Sequence, residues 1–320
     1  MIMISLSANA TDKTVKRSEM DHKKAIDELR REKNILILAH YYVDGELQDI
    51  ADIVGDSYQL AKEAKETDKD IICFLGVNFM GESAKILSPN KKVIMPDLAA
   101  DCPMAHMITV KRIREMRGKY DDLAVVAYVN TTAEIKTAAD VCVTSSNGEK
   151  IVGALPNKNI FFVPDRNLGS YIAGKLEDKN IVCNDGYCPI HNRITKGEVA
   201  KQIEKHPRAK VCIHPESPPE TLPYGDCIGS TAMLLEYVKT SPAKEFIIVT
   251  EEGILHQMKK YRPDATFYLP GKNQVCEDMK FNTVEKLYQC LKDETGEIIL
   301  TDETIRKATD SLEKMMELSK

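Results

Sequence analysis

Three thiols, three hydroxyls and three ring side chains recur through this chain in one register. Cys102, Cys188 and Cys276 lie 86 and 88 residues apart. His40, Tyr128 and His214 each close a short apolar run and are spaced by 88 and 86 residues; 17 residues after them stand Ser57, Ser145 and Thr231. Such a pattern implies three copies of one folding unit around a shared centre, with the functional site on a pseudo-threefold axis. Three convergent thiolates suit zinc or an iron–sulfur cluster. A structural zinc site uses close ligand pairs and four protein ligands, and neither is present: in the one candidate pair, Cys183 and Cys188, the first cysteine falls inside a strand-like run. A 4Fe–4S cluster held by three cysteines leaves one iron open as a Lewis acid. Pro103 and Pro189 directly follow the first two cysteines, as in the Cys-Pro of ferredoxin runs.

These residues need strands to deliver them. In the first copy, apolar runs at 35–39, 53–55, 71–77 and 92–95 read as strands, with helices at 46–52, 58–66 and 81–87 between them. The second copy repeats this with strands at 124–127, 141–144, 160–163 and 181–183, and the third with strands at 210–213, 246–249 and 266–269. The stretch PESPPETLPYG makes the third copy less regular. Apolar runs alternating with helical patterns call for parallel sheets covered by helices. The reading is α/β, in three small domains: 18–105 with an N-terminal helix at 19–33, 106–192, and 193–279. Residues 1–17 read as a frayed tail, and the helices within 280–320 are expected to pack back on the first domain. In open parallel sheets ligands bind beyond the carboxyl ends of the strands. The ring residues stand there, and Tyr42, Asn130 and Glu216, two residues on, share their side of the extended chain. Ser57, Ser145 and Thr231 stand at the next strand-to-helix junction, where a hydroxyl caps a helix and free N–H groups favour an anion.

A net charge of −5 and a pI near 5.9 argue against electrostatic nucleic-acid binding. No apolar run approaches the ~18 residues of a membrane span, and the N-terminus is too weakly apolar for a signal peptide. A cytoplasmic protein is expected, and nine cysteines, an odd number, then read as mostly unpaired. Cys73, Cys142, Cys212 and Cys290 sit in apolar patterns as small buried hydrophobes.

The motifs ILAHYY, ADIVGDS, ADCPMA, AYVNTTAEIKTAADVCVTSSN, VPDRNLGSYIA, HPES, GSTAML, TEEGILH and CEDMK, in this order, resemble those of the quinolinate synthases. The likeness runs from about residue 35 to residue 279. It implies three three-layer αβα domains related by pseudo-threefold symmetry around one central 4Fe–4S cluster, here ligated by Cys102, Cys188 and Cys276. It implies condensation of iminoaspartate (iminosuccinate) with dihydroxyacetone phosphate to quinolinate, with loss of phosphate and two waters, in NAD biosynthesis from aspartate. The family's substrate contacts fall on His40, Ser57, Tyr128, Val129, Asn130, Ser145, His214, Pro215, Glu216 and Thr231. Glu216 and Tyr42 match family residues that move protons, and His191 matches another pocket histidine; the three are the expected catalytic residues. Cys276 stands alone where some members carry C-x-x-C-x-x-C, and His106 replaces an expected aspartate. An iminoaspartate-producing enzyme is the expected transient partner. Two other classes compete: a cluster-bearing sensor, which leaves the matched strand-end residues without a purpose, and an iron–sulfur dehydratase for another dicarboxylate.

Overall fold

The computed structural model describes residues 22–320; the tail expected over 1–17 lies outside the described residues, as does the start of the helix expected over 19–33. That helix, α1, covers residues 22–32. The first unit runs β1 (Ile35–His40), α2 (Gly45–Ile50), β2 (Ile53–Gly55), α3 (Ser57–Glu66), β3 (Ile71–Leu75), α4 (Asn78–Leu87) and β4 (Lys92–Ile94). The second runs α5 (Val110–Arg117), β5 (Ala124–Tyr128), α6 (Ala133–Lys136), β6 (Val141–Val143), α7 (Gly148–Ala154), β7 (Asn159–Val163), α8 (Arg166–Ala173), β8 (Asn180–Cys183) and the short α9 (Pro189–Asn192). The third runs α10 (Lys196–Lys205), β9 (Lys210–Ile213), β10 (Cys227–Ile228), α11 (Thr231–Thr240), β11 (Glu245–Val249), α12 (Ile254–Tyr261) and β12 (Thr266–Tyr268). Two helices close the chain, α13 (Val284–Asp293) and α14 (Asp302–Leu318).

Each unit is one four-stranded parallel sheet with the same strand order: β2-β1-β3-β4, β6-β5-β7-β8 and β10-β9-β11-β12. The α/β architecture with parallel sheets is therefore the one the chain forms. The central strands β1, β3 and β5 are buried at every residue. Helices cover both sheet faces, so these strands carry continuous apolar runs rather than alternation. β1 pairs with β3 from Ile35↔Ile71 to Ala39↔Leu75, and β5 with β7 from Ala124↔Ile160 to Ala127↔Val163, which brings the strand ends level.

The third unit departs where its sequence is rich in proline. The first two units follow their first strand with a helix, α2 or α6. Here Pro218, Pro219 and Pro223 withhold backbone N–H groups, and residues Pro219–Tyr224 form a 3-10 turn instead. The last helix also differs from expectation. It was expected on the first unit, yet α14 lies against α4 of that unit and against β6, α6 and α7 of the second. Among the described residues no helix is long and apolar enough to cross a membrane.

Leu312 of α14 is fully buried at this double contact. Leu312→Ala should lower unfolding free energy by about 2–5 kcal/mol in chemical denaturation, the usual loss for a core leucine. A change well under ~1 kcal/mol would mean that α14 is a surface appendage rather than a clamp.

Candidate functional site

All three sheets turn their carboxyl ends to one cavity of about 240 Å³. His40 and Tyr128 end β1 and β5, and His214 directly follows β9. Around these, the lining brings together Tyr42, Ser57, Asn130, Ser145, His191, Glu216 and Thr231 with Cys102, Cys188 and Cys276. Of the residues singled out in the sequence, Val129 and Pro215 alone are not among the lining residues; they lie in the loops between lining neighbours. Asn130 Oδ1 is buried and has no hydrogen-bond partner in the protein, so it is left for a ligand.

The two histidines are fixed as neutral donors. The backbone N–H of Tyr42 donates to His40 Nδ1 at 3.2 Å, and that of Glu216 donates to His214 Nδ1 at 3.4 Å. A ring nitrogen that accepts leaves its proton on Nε2. Burial pushes both pKa values down to about 3, against the pull of Glu216. At neutral pH each ring therefore presents an uncharged Nε2–H. His214 Nε2 already lies 3.3 Å from Ser145 Oγ.

Glu216 is the electrostatic hub. It is 4% exposed, and His191 Nδ1 donates to its Oε2 at 2.8 Å. Burial pushes the Glu216 carboxyl up, but the adjacent imidazoles of His191 and His214, with hydrogen bonds from His191 and Tyr128, hold it below the usual carboxylate range. On its far side, His191 Nε2 lies 2.8 Å from Thr250 Oγ1, which lies 2.7 Å from Tyr42 Oη, which lies 3.1 Å from Thr231 Oγ1. With His191 neutral and donating from Nδ1, the protons run Thr231 to Tyr42, Tyr42 to Thr250, Thr250 to His191 and His191 to Glu216; with the ring protonated, Nε2 donates to Thr250 and the first three bonds reverse. Burial and the charge of Glu216 raise Tyr42 well above the usual phenol range, so it stays protonated.

The hydroxyls are not the helix caps that their positions suggest. Asp56, one residue before Ser57, accepts from Gln59 N and caps α3; Ser230, one before Thr231, accepts from Met233 N and caps α11. α7 begins only at Gly148, three residues after Ser145. Capping by Asp56 and Ser230 leaves Ser57 and Thr231 to face the cavity, and Ser145 lies ahead of α7 altogether. α3 and α11, ten residues each, present their N-terminal ends to it, which favours anionic groups.

Against burial, the backbone N–H groups three residues on, of Ala105, His191 and Met279, favour the ionised forms of Cys102, Cys188 and Cys276. Burial raises all three thiols, Cys276 to about 12; the neighbouring Cys276 raises Cys102 further, and Glu216, Cys102 and Cys276 raise Cys188 further. Buried thiolates with N–H donors are the environment of a thiophilic metal centre, whose positive charge offsets the burial. A narrower alternative exists. Ligand atoms of Cys188, His191 and Glu216 lie within 4.8 Å of one another and could hold a single ion. His106 does not line the cavity but pairs at 2.6 Å with Asp101, which does.

Thr250, Asp165 and Glu251 belong to the site but were not picked out from the sequence. Asp165 accepts from Cys188 N at 3.1 Å, and Glu251 from Cys276 N at 3.1 Å, so each carboxylate orients a cysteine loop. Both lie two residues after the third strand of their sheet and keep the 86-residue step; Val77 is the first unit's equivalent. There Asp101 does the same for Cys102 at 2.7 Å. Thr250 has Pro164 and Gly76 as its equivalents and so carries no repeat signal.

The two histidines offer a direct check. Nitrogen-15 spectra at pH 6 should show His40 and His214 as neutral Nε2–H tautomers that resist protonation until the pH falls far below that of free imidazole. Ordinary titration near pH 6.5 would remove their role as fixed donors.

The family model described as "NadA: Quinolinate synthetase A protein" matches residues 24–317. Among curated relatives, a quinolinate synthase of Fusobacterium nucleatum is 52% identical over 93% of this chain and 99% of its own length. One of Clostridioides difficile is 46% identical over 92% of this chain and 97% of its own, and one of Aquifex aeolicus 42% over 99% and 100%. With a near full-length match to the family model and relatives this similar, the chain belongs to the quinolinate synthetase A family.

Proposed function

We propose that this enzyme condenses iminoaspartate (iminosuccinate) with dihydroxyacetone phosphate to quinolinate, releasing phosphate and two waters, as a step of NAD biosynthesis. The observation that carries this reading is the convergence of three cysteines and three sets of strand-end polar residues in one cavity, within a chain of this family. Cys102, Cys188 and Cys276 would hold a 4Fe–4S cluster, whose fourth iron, lacking a protein thiolate, supplies a Lewis acid for loss of hydroxide. The presence of all three cysteines on one cavity favours this over a single ion at Cys188, His191 and Glu216, which would leave Cys102 and Cys276 without a purpose.

The chain's own residues then divide the work. His40 and His214 donate Nε2–H bonds to carboxylate oxygens, and Asn130, Tyr128 and the three hydroxyls add further contacts. Val129 and Pro215 act through the backbone of their loops. Glu216 is the general base for the carbon-bound proton of iminoaspartate as imine becomes enamine, and as the acid it returns a proton to a leaving hydroxyl. Where a step takes up or releases a further proton, the chain through His191 and Thr250 carries it between Glu216 and Tyr42, which lines the cavity. Shifting each proton by one bond reverses the polarity of the chain, so one set of residues serves both directions. A cytoplasmic location and a transient hand-off from the enzyme that makes iminoaspartate fit a substrate whose imine hydrolyses in water. The units at 18–105, 106–192 and 193–279 are taken as the domains, with 280–320 added to their outside.

Anaerobically purified protein should contain about four iron and four labile sulfide per chain, and Ala at Cys102, Cys188 or Cys276 should remove both iron and quinolinate formation. One zinc with no sulfide would point to the single-ion site instead. Glu216→Gln should keep the iron and lose ~10²–10⁴-fold in kcat, as for a missing general base. Thr250→Val, which keeps shape but breaks the proton chain, should lower kcat by at least ~10-fold at unchanged iron content, while Thr250→Ser should retain most of it. Equal activity in the Val and Ser variants would dissolve the relay.

A further inference from the structure

Lys136 is fully buried, the one lysine in that state among the described residues. Its ammonium donates to the carbonyl of Val129 at 2.9 Å and to that of Thr131. Those two carbonyls bracket Asn130, whose side-chain oxygen is buried and unpartnered at the cavity. Gln48 stands 88 residues earlier, the same step that separates β1 from β5. It is 2% exposed, and its Nε2 donates to the carbonyls of Tyr41 and Val43, both at 2.9 Å. These bracket Tyr42. The two units thus use different residues at one position to make the same pair of bonds.

The choice of residue follows the surroundings. Around Lys136 lie the Phe79 ring, 5.7 Å from the ammonium, and the Glu82 carboxylate, which accepts from Ala133 N at 2.7 Å. An ammonium, with donors only, fits acceptors and a ring face. Around Gln48 there is also a donor, Gln257 Nε2 at 3.0 Å from Gln48 Oε1, and an amide satisfies both kinds. The third unit carries Leu222 at this position and no helix; there the carbonyl of Glu216 is held from the second unit by Asn167 Nδ2 at 2.8 Å.

We propose that Lys136 and Gln48 are positioning residues, each fixing the peptide turn after the first strand so that Asn130 or Tyr42 projects into the cavity. A buried carbonyl must find a donor, and here one side chain satisfies two that flank a cavity residue, which sets the direction of the residue between them. The kinetic side of this proposal rests on the activity proposed above, whereas the loop geometry does not.

The test compares full-length wild type with Lys136→Met and Gln48→Met by amide hydrogen exchange. Lys136→Met should raise exchange in peptides covering 128–132 by ~10-fold or more and leave 40–43 as in wild type; Gln48→Met should do the reverse. In steady-state assays Lys136→Met should raise KM for iminoaspartate by ~10-fold or more, as does Asn130→Ala, with KM for dihydroxyacetone phosphate and iron content unchanged; the double variant should be no worse than Asn130→Ala alone. Should Lys136→Met fail to fold, Lys136→Gln, the first unit's own residue, should show the same pattern at smaller amplitude. Exchange that rises equally in both loops, or fully additive KM effects, would overturn the proposal. A wild-type protein that makes no quinolinate would sink the activity reading, and the exchange comparison would still decide the positioning role.

Discussion

The site depends on one carboxylate kept ionised in the middle of the molecule. Glu216 accepts a hydrogen bond from His191 and, among the described residues, pairs with no lysine or arginine. Its charge survives burial only because rings from two units surround it with hydrogen bonds and dipoles. That charge in turn sets its neighbours. It keeps the phenols of Tyr42 and Tyr128 protonated, and it adds to the cost of ionising Cys102 and Cys188. A negative centre beside three thiols makes a positively charged centre among them more favourable. Glu216 and the three cysteine sulfurs are thus parts of one electrostatic arrangement.

Holding such a group requires loops that do not move, and the fold supplies them by sealing backbone polar groups across unit boundaries. Asn167 of the second unit holds the carbonyl of Glu216, and Lys280, beyond the third sheet, holds that of Tyr42 at 2.7 Å. Gln48 reaches the carbonyl of Gly253 at 3.0 Å. Gly253 must be glycine there, because a Cβ would come within 2.8 Å of the backbone of Tyr41 and Tyr42. Each strand-end loop is therefore a contact surface for another unit, and the cavity is stiff because its walls are also the joints.

Much of this was legible in the sequence because the repeat is written in residue types that only a common centre can use. The sheets, their parallel order and the lining residues follow from apolar runs ending in matched polar positions. What was missed has specific causes. The hydroxyls look like caps because Ser and Thr precede apolar periodicity, but Asp56 and Ser230 sit one residue earlier and do the capping. Thr250 faces Pro164 and Gly76 in the other copies, so register gave no hint of it. Lys136 sits in a charged-looking AEIK segment, and only the structure shows its ammonium turned inward on backbone oxygens. The α14 helix lies outside the repeat and so has no register to say which units it joins.

The ring positions are not three of a kind: histidine ends the first strand, tyrosine the second, and histidine follows the third. A cage with perfect threefold symmetry would offer three indistinguishable seats and could not tell one end of a molecule from the other. Tyr128 breaks that degeneracy. It turns its phenol towards Glu216, whereas His40 and His214 turn N–H groups to the cavity, so a guest meets a unique direction on entering. The three repeats supply the walls, and the unlike residues at matched positions, Tyr128 among them, give the cavity a direction.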